Sequence, residues 1–182
     1  GALNTAVNIR AAVFAPGRLP GKISSRTFIP LDATLTNYRG TGQPFSSNLP
    51  IIVFNSFGKN IDAAGGSPGV RTFSYCYGVT LPPDPAASNR AVITGSIDYQ
   101  GRGGVHVRGE TSSGFAQKPY SWELWDNYEG DKDESILGLS ADSDWALISN
   151  YNDKAVLRNK LPFDTMYELN GEGSAMREKY VE

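Results

Sequence analysis

Gly103-Gly104-Val105-His106-Val107-Arg108-Gly109 is followed by Glu110-Thr111-Ser112-Ser113-Gly114, and then by Phe115-Ala116-Gln117-Lys118-Pro119-Tyr120-Ser121-Trp122-Glu123-Leu124-Trp125. The three blocks read as a strand, a turn of small residues and a second strand. Strict alternation puts Val105 and Val107 inward and His106 and Arg108 on the opposite face. In the second strand Tyr120 and Trp122 share a face that belongs in a core, which leaves Trp125 free for the exposed side. Lys118 opens that strand, and Pro119 fixes the chain as it enters. Such a turn can cradle phosphate, because backbone N–H groups and hydroxyls donate to phosphate oxygens while lysine adds a point charge. It can equally be an ordinary hairpin. Neither a Walker A sequence nor a G-x-G-x-x-G loop is present.

Working outward, residues 49–54, 70–80, 90–98, 103–109 and 119–125 read as strands. Residues 58–69 form a glycine-rich loop, and 82–85 and 99–102 read as turns. The 20 glycines and 11 prolines, about one residue in six, suit many short strands better than a helical bundle. Helix appears only late. Asp153 is a good N-cap for a helix over 154–161, with Val156, Leu157, Leu161 and Met166 at helical spacing. Leu157 and Leu161 are expected to face the sheet. Pro162 should kink or split that helix, and Asn170-Gly171 should close it. The fold class expected is therefore α+β, an antiparallel-rich sheet with a C-terminal helix.

Upstream, residues 6–15 alternate as a strand with Val7, Ile9, Ala11 and Val13 on one face. Pro16-Gly17 turns the chain, and Ser24–Leu31 makes a second strand. Two strands cannot bury a core alone, so residues 1–34 read as the remnant of a β-sandwich whose other strands lie further upstream. Polar residues 35–48 read as a linker, and 49–182 as the next domain. The chain reads as a piece of a longer protein, cut at both ends.

Seventeen basic against nineteen acidic residues leave a net charge of −2, so no basic field draws the chain to nucleic acid. The longest uncharged apolar run, Leu49–Phe54, is far shorter than the roughly 18 residues that span a bilayer. The lone Cys76, between two tyrosines, reads as a buried strand thiol. In the acidic stretch 126–135, Ile136 stands where a calcium loop built on Asp131, Asp133 and Ser135 needs glycine, so a solvated loop is expected. His106, the sole histidine, is expected at the surface or at an interface between lobes.

Two runs, VRGETSSGFAQKPYSWELW at 107–125 and ILGLSADSDWALISNYNDKAVLRNKL at 136–161, resemble the spore-coat protein H (CotH) kinase family. Five blocks carry the resemblance in one order. They comprise Arg108, Gly109, Ser112 and Ser113, then Lys118-Pro119-Tyr120, Leu137-Gly138-Leu139, Asp144-Trp145 and Asn150-Tyr151 with Asp153, Lys154, Leu157, Arg158 and Asn159. Gln117 departs from the family's frequent pair of lysines, and Ala141 stands beside a position often held by proline. Residues 1–34 are similar to the last strands of a chitobiase/β-hexosaminidase C-terminal-type domain.

The resemblance implies the nucleotide-gripping lobe of an atypical protein kinase that uses ATP with Mg or Mn to phosphorylate a protein Ser/Thr. It implies Lys118 at the α/β-phosphates and Arg108, Ser112 and Ser113 in the turn against them. Arg158 either reaches the same cleft or anchors its helix to the sheet. Family members continue into a helical lobe that supplies metal ligands and base, so no catalytic or metal residue is assigned in this chain, and inactivity on its own is expected. The family also implies a bacterial protein that is exported or displayed at the cell surface. The alternative is a non-catalytic exported β-module that binds glycan or a protein partner.

Overall fold

The computed structural model describes residues 5–61, 73–155 and 157–169. The fold is α+β, with antiparallel sheets and a C-terminal helix. Its centre is a five-stranded antiparallel sheet in the order β4 (Ile51–Asn55), β5 (Ser74–Leu81), β7 (Tyr99–Val107), β8 (Tyr120–Trp125) and β9 (Asp144–Leu147). A hairpin of β1 (Val7–Ala11) and β2 (Ser24–Phe28) precedes it, with Val7 opposite Phe28 and Ala11 opposite Ser24. The short strands β3 (Ser46–Ser47) and β6 (Ala91–Val92) pair with each other. The helices are a four-residue α1 (Ala33–Thr36) and α2 (Lys160–Leu169).

Both sheet faces are covered. On one, Cys76, Tyr99, Val105, Trp122, Leu124 and Ile136 are buried together. On the other, Ile51 and Leu81 pack with Ala91 and Ile93, joined by Leu35, Phe45, Val53 and Val79. The polar stretch 35–48 thus sends two apolar pegs into the second core. Within it lie the end of α1, a 3-10 turn at Tyr38–Gly40 and β3. Tyr120 and Trp122 do share the core face, and Cys76 is a buried thiol, pushed up to about 12 by burial.

Several local expectations need correction. Tyr99–Arg102 is not a turn but the start of β7, because these residues pair with Tyr77–Thr80 of the eight-residue β5. Of 90–98 only Ala91 and Val92 are strand. β7 is central and buried on both faces, so His106 is interior, 1% exposed, rather than at a surface. Phe73 meets its ring edge-on at 4.6 Å, and Nδ1 lies 2.9 Å from the Val107 carbonyl oxygen. Trp125, on the same face, is half-buried against Phe73.

The late helix starts about two turns beyond the expected position. Residues 154–155 and 158–159 form turns, and the buried Asp153 caps by accepting from the Arg158 N–H at 2.7 Å. Pro162 then falls in the first turn of α2, where an N–H has no intrahelical partner, and costs nothing. Leu157 and Leu161 are 56% and 67% exposed, against the expectation that they pack on the sheet. They fall in the turn before the helix and at its second position, and although the Leu161 N–H bonds the Leu157 carbonyl at 2.9 Å, both side chains are left to water. Val156, the Met166 side chain and Asn170-Gly171 lie outside the described residues.

The β1–β2 hairpin is held to the large sheet by polar contacts. The Asn127 amide donates to the Ile23 carbonyl at 2.9 Å and accepts from the Ser25 hydroxyl at 2.6 Å. Its backbone carbonyl accepts from Arg10 and, at 2.9 Å, from the buried Arg102. Asn8 reaches the Tyr75 hydroxyl at 2.7 Å. The side of the hairpin that carries Ile9 and Val13 stays exposed. Asn127→Ala removes two of these bonds, each worth about 1 kcal/mol. Amides of β1 and β2 are expected to exchange with deuterium about thirtyfold faster in that variant. Unchanged exchange would show that the hairpin is held otherwise.

Candidate functional site

The loop between β7 and β8 is closed by its own backbone. Arg108 N–H donates to the Pro119 carbonyl at 3.0 Å, which brings its two ends together. Gly109 sits at φ +83, and a Cβ there would lie 2.1 Å from the Ser112 hydroxyl oxygen. Only glycine lets the chain fold back this tightly. Ser112–Gly114 then forms one 3-10 turn, with the Phe115 N–H on the Ser112 carbonyl at 3.2 Å. The Ser113 hydroxyl donates to the Glu110 carbonyl at 2.6 Å, and the Lys118 ammonium donates to the Ser113 carbonyl.

Arg108, Ser112, Ser113 and Lys118 are all half-buried, and all belong to this one loop. The loop therefore gathers one ammonium, one guanidinium and two hydroxyls around a glycine-permitted bend. Two of these donors are engaged within the loop itself, Ser113 on the Glu110 carbonyl and Lys118 on the Ser113 carbonyl. Arg158 lies elsewhere, in the turn before α2. Its side chain is exposed and makes no hydrogen bond or ion pair among the described residues.

Sequence reasoning missed what stands beside the loop. Strand β9 pairs with β8, Leu147 opposite Tyr120, and delivers residues 148–151 to the loop's flank. The Ser149 hydroxyl donates to the Gln117 carbonyl at 2.8 Å. Tyr151 stacks on Phe115, with ring centroids 5.4 Å apart and planes 30° apart. The alternation in Asp144-Trp145-Ala146-Leu147 was the available signal, but four residues are too short a window to separate strand from turn.

A divalent cation is harder to accommodate. Among the described residues no group of three His, Cys, Asp or Glu side chains is placed to hold a metal ion. Glu123 is raised by burial, and also by its hydrogen bond to Asp131. Asp126 lies below the usual carboxylate range, because it accepts from the backbone of Tyr128 at 2.7 Å and of Gly130 at 2.9 Å. Its oxygens close a turn, and that turn carries Asn127. The stretch expected to be only a solvated loop therefore also docks the hairpin. No helix among the described residues is long and apolar enough to cross a membrane.

Comparison with known proteins points at this same region. Residues 105–182 match the family model for CotH kinase protein. No curated protein and no solved structure matches the chain. The CotH match starts inside β7 and takes in the β7–β8 loop, β8, β9 and α2. It leaves the β1–β2 hairpin, β4 and β5 outside. All five candidate residues, Arg108, Ser112, Ser113, Lys118 and Arg158, fall within the CotH-matched segment.

Proposed function

We propose that residues 49–182 are the nucleotide-gripping part of a CotH-type atypical protein kinase, and that the β7–β8 loop takes the phosphates of ATP. The observation that carries the reading is the gathering of Lys118, Arg108, Ser112 and Ser113 on one tight loop inside the CotH-matched segment. The phosphate end of a nucleotide fits these residues. Lys118 supplies the compact charge for the α/β-phosphates, and the two serines and Arg108 supply hydrogen bonds to the oxygens. Arg158, exposed and without a side-chain partner among the described residues, joins from the turn before α2. The divalent ion that such transfer uses does not fit among the described residues, and no step is drawn through it.

A nucleotide held there supplies the γ-phosphoryl for a protein Ser/Thr hydroxyl. This chain's own contribution is to position phosphates and neutralise their charge, on which phosphoryl transfer chiefly depends. Residues 1–34 as the close of a separate sandwich domain, and placement outside the bacterial cytoplasm, complete the same proposal. One observation favours the non-catalytic alternative. Val13, Phe14 and Leu19, on the connection between β1 and β2, are 76%, 76% and 91% exposed, as in a surface that meets a partner.

Calorimetric titration with a non-hydrolysable ATP analogue tests the main reading. Lys118→Ala is expected to bind about ten- to a hundredfold more weakly, the worth of one charge-assisted hydrogen bond. Lys118→Arg should be impaired as well, since a planar guanidinium does not replace an ammonium in a tight loop. Lys132→Ala, whose lysine pairs with Glu134 at 2.6 Å on another turn, should bind as wild type does. Equal affinity in all four proteins would remove Lys118 from the site.

A further inference from the structure

We propose that the 148–154 segment is a latch on the β7–β8 loop, and that Tyr151 is its positioning residue. The proposal concerns how the loop is held. Its consequence for nucleotide affinity rests on the reading of that loop as a phosphate site.

The loop's own bonds all run between residues within 108–119. Its ends are tied by the Arg108–Pro119 bond, but between them Thr111, Gly114, Ala116 and Gln117 are exposed. A ten-residue excursion that is at best half-buried opens more readily than the strands on either side. Two contacts from outside the loop hold it. The Ser149 hydroxyl bonds the Gln117 carbonyl next to Lys118, and the Tyr151 ring covers Phe115. Both come from the same short segment, which reaches the loop because β9 runs beside β8.

The segment is braced from behind. Lys154 lies 4.9 Å over the Tyr151 ring and donates to the Tyr151 carbonyl at 3.1 Å. The Asp153 N–H bonds the Asn150 carbonyl at 3.0 Å, and the Asn159 amide bonds the Asn150 side chain at 2.7 Å. Asp153, buried in a turn that is otherwise exposed, ties Arg158 through its backbone N–H. Tyr151 is thus fixed by groups that do not touch the loop, while its ring does. A rigid brace on one side and a stacked ring on the other transmit order to the loop without touching a ligand. Tyr151 acts through Phe115 and is a positioning residue only.

Hydrogen exchange on the 182-residue chain, with no nucleotide present, tests the latch directly. Tyr151→Ala is expected to raise exchange of amides 110–118 about three- to tenfold, the range an aromatic pair is worth. Tyr151→Phe keeps the stack and should exchange as wild type does. Phe115→Ala approaches the same stack from the loop side and should reproduce the alanine effect, which guards against a general loss of structure in Tyr151→Ala. Wild-type exchange in both alanine variants would overturn the latch. Titration with the ATP analogue then separates the two readings. Faster exchange with weaker binding in Tyr151→Ala upholds both, whereas faster exchange in a protein whose wild type binds no nucleotide upholds the latch and removes the phosphate site.

Discussion

Trp122→Ala is expected to lower the stability of the fold by about 3–5 kcal/mol, the range for deleting a large aromatic side chain from a core. Trp122 is 1% exposed and stands at the centre of the first core. The Phe54 ring meets it edge-on at 4.9 Å and the Tyr99 ring at 5.6 Å, both in the T-shaped geometry that aromatic quadrupoles prefer. The sheet beneath makes room for it, since a Cβ on Gly78 would lie 2.3 Å from the indole. The surrounding strands are tied into one antiparallel ladder and cannot collapse into the space, so the cavity term adds to the lost burial. Urea denaturation followed by tyrosine and tryptophan fluorescence measures the change. A loss below about 1 kcal/mol, the level of an ordinary substitution, would mean that this cluster is not the core.

Gly103→Ala should cost about 3 kcal/mol, a large penalty for one methyl group. A Cβ at 103 would lie 2.3 Å from the Glu123 carbonyl oxygen and 2.9 Å from the Trp122 indole nitrogen. The first of these is backbone and cannot rotate away. Gly103 faces Leu124 in the β7–β8 ladder, so relief requires the two central strands to part. Gly114→Ala is the matched control, because a Cβ there meets nothing within 4 Å. It should change stability by no more than about 0.5 kcal/mol. Equal melting of the two variants would show that β7 and β8 lie further apart than described.

The shared core face of Tyr120 and Trp122, the buried Cys76, the antiparallel architecture and the loop between the two central strands were all legible in the residues. Each rests on local rules. Alternation with period two decides which side chains share a face, and glycine with small polar residues decides where a chain can reverse. The four loop residues Arg108, Ser112, Ser113 and Lys118 come together for the same reason, since a hairpin loop gathers residues adjacent in sequence.

What the residues did not disclose depends on partners distant in the chain. Tyr99–Arg102 has turn composition but becomes strand because β5 offers it a ladder. His106 is interior because Phe73, at the entry to β5, packs edge-on against it on the face that alternation alone leaves to water. Strand β9, four residues long, exists only by pairing with β8, and through it Tyr151 reaches Phe115. The acidic turn docks the hairpin because Asn127 meets Ile23 and Ser25, about a hundred positions away. Sequence by itself determined the period of each strand and the chemistry of the loop. Only tertiary structure decided which faces are dry, where β7 and α2 begin and what holds the loop in place. Burial and ladder pairing are properties of two segments at once, and neither segment's composition contains the other.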